Sequence, residues 1–76
     1  MLTLAEAVIG KRYVIKKVFA KEPLRGRLVA MGFGLGCEVV VQAFTMAKQT
    51  LDVQVEDSFV ALRREEASQI ELEEMV

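Results

Sequence analysis

The sequence predicts a mainly β domain, a small antiparallel barrel of about five short strands with short helices between them. Three features carry that prediction. Leu51-Asp52-Val53-Gln54-Val55-Glu56 alternates apolar and polar without a break, the period of a strand with one face on a core and one in water. Arg12 to Phe19 gathers Tyr13, Val14, Ile15, Val18 and Phe19, β-branched or aromatic residues interrupted only by Lys16 and Lys17. Leu24 to Gly36 reads as a short helix stopped by glycine and fed straight into a strand.

The chain opens with Thr3-Leu4-Ala5-Glu6, a capping-box pattern in which the Thr3 hydroxyl accepts from the Glu6 N–H and the Glu6 carboxylate reaches back. A helix of one or two turns is expected from there to Gly10. Arg12 to Phe19 is the first strand. Pro23 suits the first position of the next helix, where its missing N–H costs nothing. Leu24, Leu28 and Met31 then recur at i, i+4 and i+7 and form one buried stripe, with Arg25 and Val29 on its flank. Gly32 falls where a left-handed residue ends a helix, and Phe33 follows at the position that folds back onto Leu28. Gly34 and Gly36 around Leu35 make a tight turn.

Glu38 to Met46 is the second strand. Its run Val39-Val40-Val41 leaves neither face polar, so it is expected to be central or bent. Leu51 to Glu56 is the third, with Leu51, Val53 and Val55 inward. Asp57-Ser58 supplies a turn into a fourth strand, Phe59 to Leu62, closing a hairpin. A helical turn over Arg63 to Gln69, acidic at its start, leads to a last strand from Ile70 to Glu73. Closure into a barrel is expected to remove exposed sheet edges.

The 76 residues make one domain, spanning residues 1–76, and 53% of them are hydrophobic with a mean hydropathy of +0.30, which argues against disorder. No uncharged stretch is long enough to cross a bilayer, and Glu6 interrupts any early signal-like run, so a cytoplasmic location is expected. One cysteine, Cys37, forms no internal disulfide; it reads as a small core hydrophobe. Residues 1–36 carry seven Lys/Arg against Glu6 and Glu22, and residues 37–76 carry three against nine Asp/Glu. The plainest account is that the two halves interleave and neutralise each other; a partner-directed charge is the alternative. With no Trp and one Tyr among the cations, nucleic acid is not expected.

Catalytic chemistry finds little to work with. The chain has no histidine, which removes the commonest general base and metal ligand. Asp52, Glu56, Glu71 and Glu73 fall on the wet side of strands, so no catalytic residue, cofactor site or tight metal site is assigned. The run Gly32-x-Gly34-x-Gly36 follows a helix and lacks the spacing and the Lys-Ser/Thr of phosphate loops.

Taken together, Thr3-Leu4-Ala5-Glu6…Gly10, the segment Leu28-x-x-Met31-Gly32-Phe33-x-x-Gly36 and the segment Leu62-Arg63-Arg64-Glu65-Glu66-Ala67 occur in an order and spacing that resemble the FeoA family over nearly the whole chain. The resemblance implies an SH3-like barrel, no enzyme activity, and a role in bacterial ferrous iron uptake. That role would run through protein–protein contact with the membrane transporter FeoB, so that the chain meets the membrane only through this partner. Two departures stand out. The Gly-Asp-Pro type turn common in the family is Ala47-Lys48-Gln49-Thr50-Leu51-Asp52 here, and the basic residue frequent at position 26 is Gly26.

Gly26 with Ala30 forms a smooth patch on the helix opposite Leu24 and Leu28. Either the short helix merely tolerates this glycine, or the patch admits another backbone, from a second copy or from the transporter. Arg25, Gly26, Val29, Ala30 and Phe33 are accordingly the expected partner-binding residues, Phe33 competing with a role as the helix's apolar cap. Two alternatives are carried forward. One is an SH3-like regulatory or dimerisation module related to the C-terminal domains of iron-dependent repressors. The other is weak direct binding of ferrous iron by Asp52, Glu56 and Asp57.

Overall fold

The alternating and β-branched segments become five strands of one antiparallel sheet, in a computed structural model that describes residues 1–45, 47 and 49–75. The chain passes from a 3₁₀ turn at Leu4–Glu6 to β1 (Arg12–Val18), α1 (Leu24–Ala30), β2 (Glu38–Phe44), β3 (Thr50–Val55), β4 (Ser58–Arg63), α2 (Arg64–Ala67) and β5 (Ile70–Glu74). Strand order is β4-β3-β2-β1-β5. The inward residues of all five strands share one core, including Tyr13, Ile15, Val39, Val41, Val53, Leu62, Ile70 and Leu72, so the sheet curls around it.

Each strand obeys its own pattern. In β3, Leu51, Val53 and Val55 are buried and Asp52 is exposed, as alternation requires. The two successive lysines of β1 mark a bulge: Ile15 pairs with Leu72 but Lys17 pairs with Glu71, leaving Lys16 extra and both lysines in solvent. β2 bends the same way at Gln42, between the Val41–Val53 and Ala43–Asp52 pairs, and it is central as its valine run predicts. Position 46, where the sequence ends this strand, lies outside the described residues.

The helix stop behaves as its residues dictate. Gly32 takes φ +111, its N–H donates to the Val29 carbonyl, and the Phe33 N–H donates to the Leu28 carbonyl, both at 3.0 Å. This pair of bonds satisfies carbonyls that the end of α1 would otherwise orphan. Leu28 is buried, and Leu24 and Met31 are partly buried against the same core, as the stripe predicts. The glycine turn then locks onto β1, with Gly36 N–H donating to the Ile15 carbonyl at 2.9 Å and Ile15 N–H to the Cys37 carbonyl at 3.0 Å.

Several expectations are corrected. The first helix is only the Leu4–Glu6 turn, because Ala7 is already extended at φ −65, ψ 146, which delivers the Val8 N–H to the Tyr13 hydroxyl at 3.0 Å. The capping box itself forms as expected, the Thr3 side chain facing the Glu6 N–H while Glu6 Oε1 accepts from the Thr3 N–H at 3.2 Å. The Thr3 hydroxyl also donates to the same carboxylate, and the Glu6 N–H bonds to the Thr3 carbonyl. The hairpin turn is Glu56-Asp57 rather than Asp57-Ser58, since Ser58 already pairs with Val55 and Glu56 supplies the φ of 51. β3 begins at Thr50, one residue ahead of the expected Leu51. α2 is four residues long, shorter than expected.

The barrel is also not sealed strand to strand. Among the described residues β4 pairs only with β3 and β5 only with β1, and α2 bridges the two edges. The reason is local. Glu66 Oε1 accepts the Arg63 N–H at 3.0 Å and its other oxygen pairs with Arg27 of α1, which turns the chain into a helix before β4 could reach β5.

Charge interleaving holds. Four ion pairs are formed among the described residues: Lys11–Glu74, Arg12–Glu38 at 2.7 Å, Lys16–Glu71 at 3.8 Å and Arg27–Glu66. Each joins a cation of the first half to an acid of the second.

Candidate interaction face of α1

α1 is amphipathic by spacing, and burial of Leu28 decides which side is left over. That leftover side carries Arg25, Gly26, Val29 and Ala30, all exposed, with Val29 at 47%. The structure brings these four together as the sequence predicts. Leu35, at the tip of the glycine turn that follows, is 66% exposed.

Phe33 does not join them. It is fully buried, because the bonds that end α1 fold its side chain into the core beside Leu28, so it cannot offer a surface to a partner. Arg25 has a structural task as well: its Nη1 donates to the Val18 carbonyl at 3.1 Å and ties α1 to the end of β1. Guanidinium has donors to spare, so this bond leaves the group able to meet a second acceptor.

Gly26 is explained in part by its own neighbour. Its N–H donates to Glu22 Oε1 at 2.9 Å, and a β-carbon there would stand 2.9 Å from that same oxygen. The obstacle is the mobile end of a long side chain, so the patch formed with Ala30 is otherwise open.

Other features of the surface lie elsewhere. Phe59 is 71% exposed on β4, a residue the sequence reading placed in a strand without assigning it a side. Its signal is the unbroken run Phe59-Val60-Ala61-Leu62, in which alternation forces some apolar side chains outward. Asp52, Glu56 and Asp57 do not form a metal-ligating group: no cluster of three or more His, Cys, Asp or Glu side chains occurs among the described residues. No helix among them is long and apolar enough to cross a membrane.

A curled five-stranded antiparallel sheet with short helices between its strands defines the class of small SH3-like β domains. The FeoA domain family matches residues 2–74, and the chain belongs to the FeoA family. A protein of Helicobacter pylori described as Fe(2+) transport protein A is 33% identical over 76 residues, covering 99% of this chain and all of that one. The zinc complex of Stenotrophomonas maltophilia FeoA, described as a prokaryotic SH3 domain protein, superposes with a TM-score of 0.84 at 30% identity over 96% of this chain and 91% of that chain. Iron(II) transport protein A of Clostridium thermocellum gives a TM-score of 0.90 at 28% identity; the match covers 95% of this chain and 44% of that chain. The manganese-activated repressor ScaR shares the fold at 23% identity, with 97% of this chain matching 35% of that chain at a TM-score of 0.84.

Proposed function

We propose that this protein is a non-catalytic accessory of ferrous iron uptake that docks on the cytosolic part of a FeoB-type transporter. The observation that carries the reading is the FeoA match over residues 2–74. The exposed side of α1 supplies the surface: Val29 is the apolar anchor, Gly26 and Ala30 let a partner backbone approach, and the free donors of Arg25 meet a carbonyl or carboxylate. Residence in the cytoplasm follows from that partner.

The test is recovery of the transporter from detergent-solubilised membranes on tagged protein, with iron titration calorimetry run alongside. Enrichment that Val29→Asp abolishes, without heat from iron, supports docking. Equal enrichment by the variant overturns the α1 surface, and iron heat without enrichment overturns the accessory role in favour of direct binding.

The shared fold with ScaR supports a second reading, an SH3-like regulatory module within a larger assembly. Enrichment of a soluble protein instead of the transporter would favour it.

A further inference from the structure

The two edges of the sheet are treated differently. The outer edge of β5 is covered by the N-terminal segment, through the Thr3–Glu71 bridge and the Leu72 N–H bonded to the Leu2 carbonyl at 2.8 Å. Among the described residues nothing pairs with the middle of β4 on its outer side.

Pairing fixes which groups are left over. Val55 and Ser58 flank a two-residue turn and form its bonded pair, so Ser58, Val60 and Leu62 turn their N–H and C=O groups toward β3. The Glu56 N–H, bonded to the Glu38 carbonyl of β2 at 3.0 Å, confirms this parity. Phe59, Ala61 and Arg63 therefore point theirs outward, and Glu66 takes the N–H of Arg63. Among the described residues four polar groups remain without a partner, one N–H and one C=O on each of Phe59 and Ala61. β4 has no proline, no lysine and no bulge against β3, the usual guards of such an edge.

We infer that β4 is a self-association edge, pairing antiparallel with β4 of a second copy about a two-fold axis through Val60. In that register Phe59 lies opposite Ala61 of the other copy, and all four free groups are bonded reciprocally. The two Val60 side chains, each half-buried in the monomer, meet at the axis on the inner face. The two Phe59 rings become diagonal neighbours on the outer face, which accounts for an aromatic left 71% exposed. At each end of the ladder Asp57 of one copy stands opposite Arg63 of the other, and neither residue has an ion-pair partner among the described residues of its own chain. A register one residue further along would demand the Arg63 N–H that Glu66 already holds. The charge match and the count of free groups thus select the same alignment, and both point to a second copy as the occupant.

A ladder this short makes a weak dimer, so the experiment is sedimentation equilibrium over a concentration series combined with residue-resolved amide hydrogen exchange. A monomer–dimer equilibrium is expected, with the Phe59 and Ala61 amides becoming protected as concentration rises while Val60 and Leu62 are protected throughout. Phe59→Lys should weaken the dimer about tenfold, with an unchanged melting midpoint in dilute solution. Asp57→Arg and Arg63→Asp should each weaken it, and the double variant should restore it. A monomer at every concentration overturns the inference. So does a dimer in which the Phe59 and Ala61 amides exchange as in the monomer, or protection that appears only when an extended peptide is added.

Discussion

Gly32, at the end of α1, lies against Val55, at the end of β3: a β-carbon on Gly32 would stand 3.3 Å from Val55 Cγ1. Two constraints therefore meet at one residue, a left-handed φ of +111 and a close approach to the sheet.

Gly32→Ala should destabilise the domain by about 1–3 kcal/mol, since the new side chain disfavours that φ and presses on Val55. For a domain of this size each kcal/mol lowers the melting midpoint by roughly 4–8 °C. Gly34→Ala is the control: its β-carbon meets only Cys37 Sγ at an ordinary 3.8 Å, and no loss of that size is expected. Thermal unfolding of both variants checks the contrast.

Phe33→Ala should cost about 3–5 kcal/mol by leaving a cavity beside Leu28. With total stabilities of small domains commonly near 5 kcal/mol, the variant should be largely unfolded or sharply less stable in urea. Val29→Asp changes an exposed side chain and should leave the urea midpoint within about 0.5 kcal/mol of the parent. Comparable losses from the two substitutions would contradict the burial pattern of α1.

Gly26→Gln should be nearly neutral for stability. The displaced Glu22 carboxylate forfeits an exposed hydrogen bond, and the better helix former regains about 0.5–1 kcal/mol. On the docking proposed above, association with the transporter should nonetheless weaken, because the long side chain fills the smooth patch. Melting and pull-down measured on the same preparation separate the two effects.

Lys11 gives a pH signature. Its hydrogen bond to Glu74 raises the ammonium's pKa above the ordinary 10.5; desolvation opposes the rise, and the charges of Glu74 and Tyr13 add to it. A raised folded pKa means the stabilisation is complete below 10.5 and fades as pH climbs through the higher folded value. Glu74→Gln should return the Lys11 titration, followed by NMR at the side-chain amine, toward 10.5 and remove that part of the alkaline sensitivity. Salt should shrink the difference, the pair being exposed.

How much of this was legible depended on whether a residue's task was local. Gly32 and the Leu24-Leu28-Met31 stripe specify α1 from within a dozen residues, so the helix, its stop and the exposed position of Val29 could be read directly. Lys16-Lys17 broke the alternation of β1 at the site where the structure has its bulge. Phe33 was less clear, since a residue after a helix stop can face either way and only packing against Leu28 decides. The hairpin turn was displaced by one residue because glutamate is an uncommon carrier of positive φ, and the stronger turn former, Asp57, drew the assignment. Thr3-Leu4-Ala5-Glu6 marks where a helix can begin, but its end was set at a distance, by the Val8 N–H reaching Tyr13. The open β4 edge was the least visible, depending on Glu66 capturing one main-chain N–H.

The seam between β1 and β5 joins residues near opposite ends of the chain, with Tyr13 aligned to Glu74 and Leu2 bonded to Leu72. On the ribosome, β2, β3 and β4 can pair in turn as they emerge, while one flank of β1 stays open until the final strand has cleared the exit tunnel. Translation that stalls ahead of Ile70 would leave a nascent sheet with a second bare edge and its apolar interior exposed, a natural substrate for chaperones and proteases.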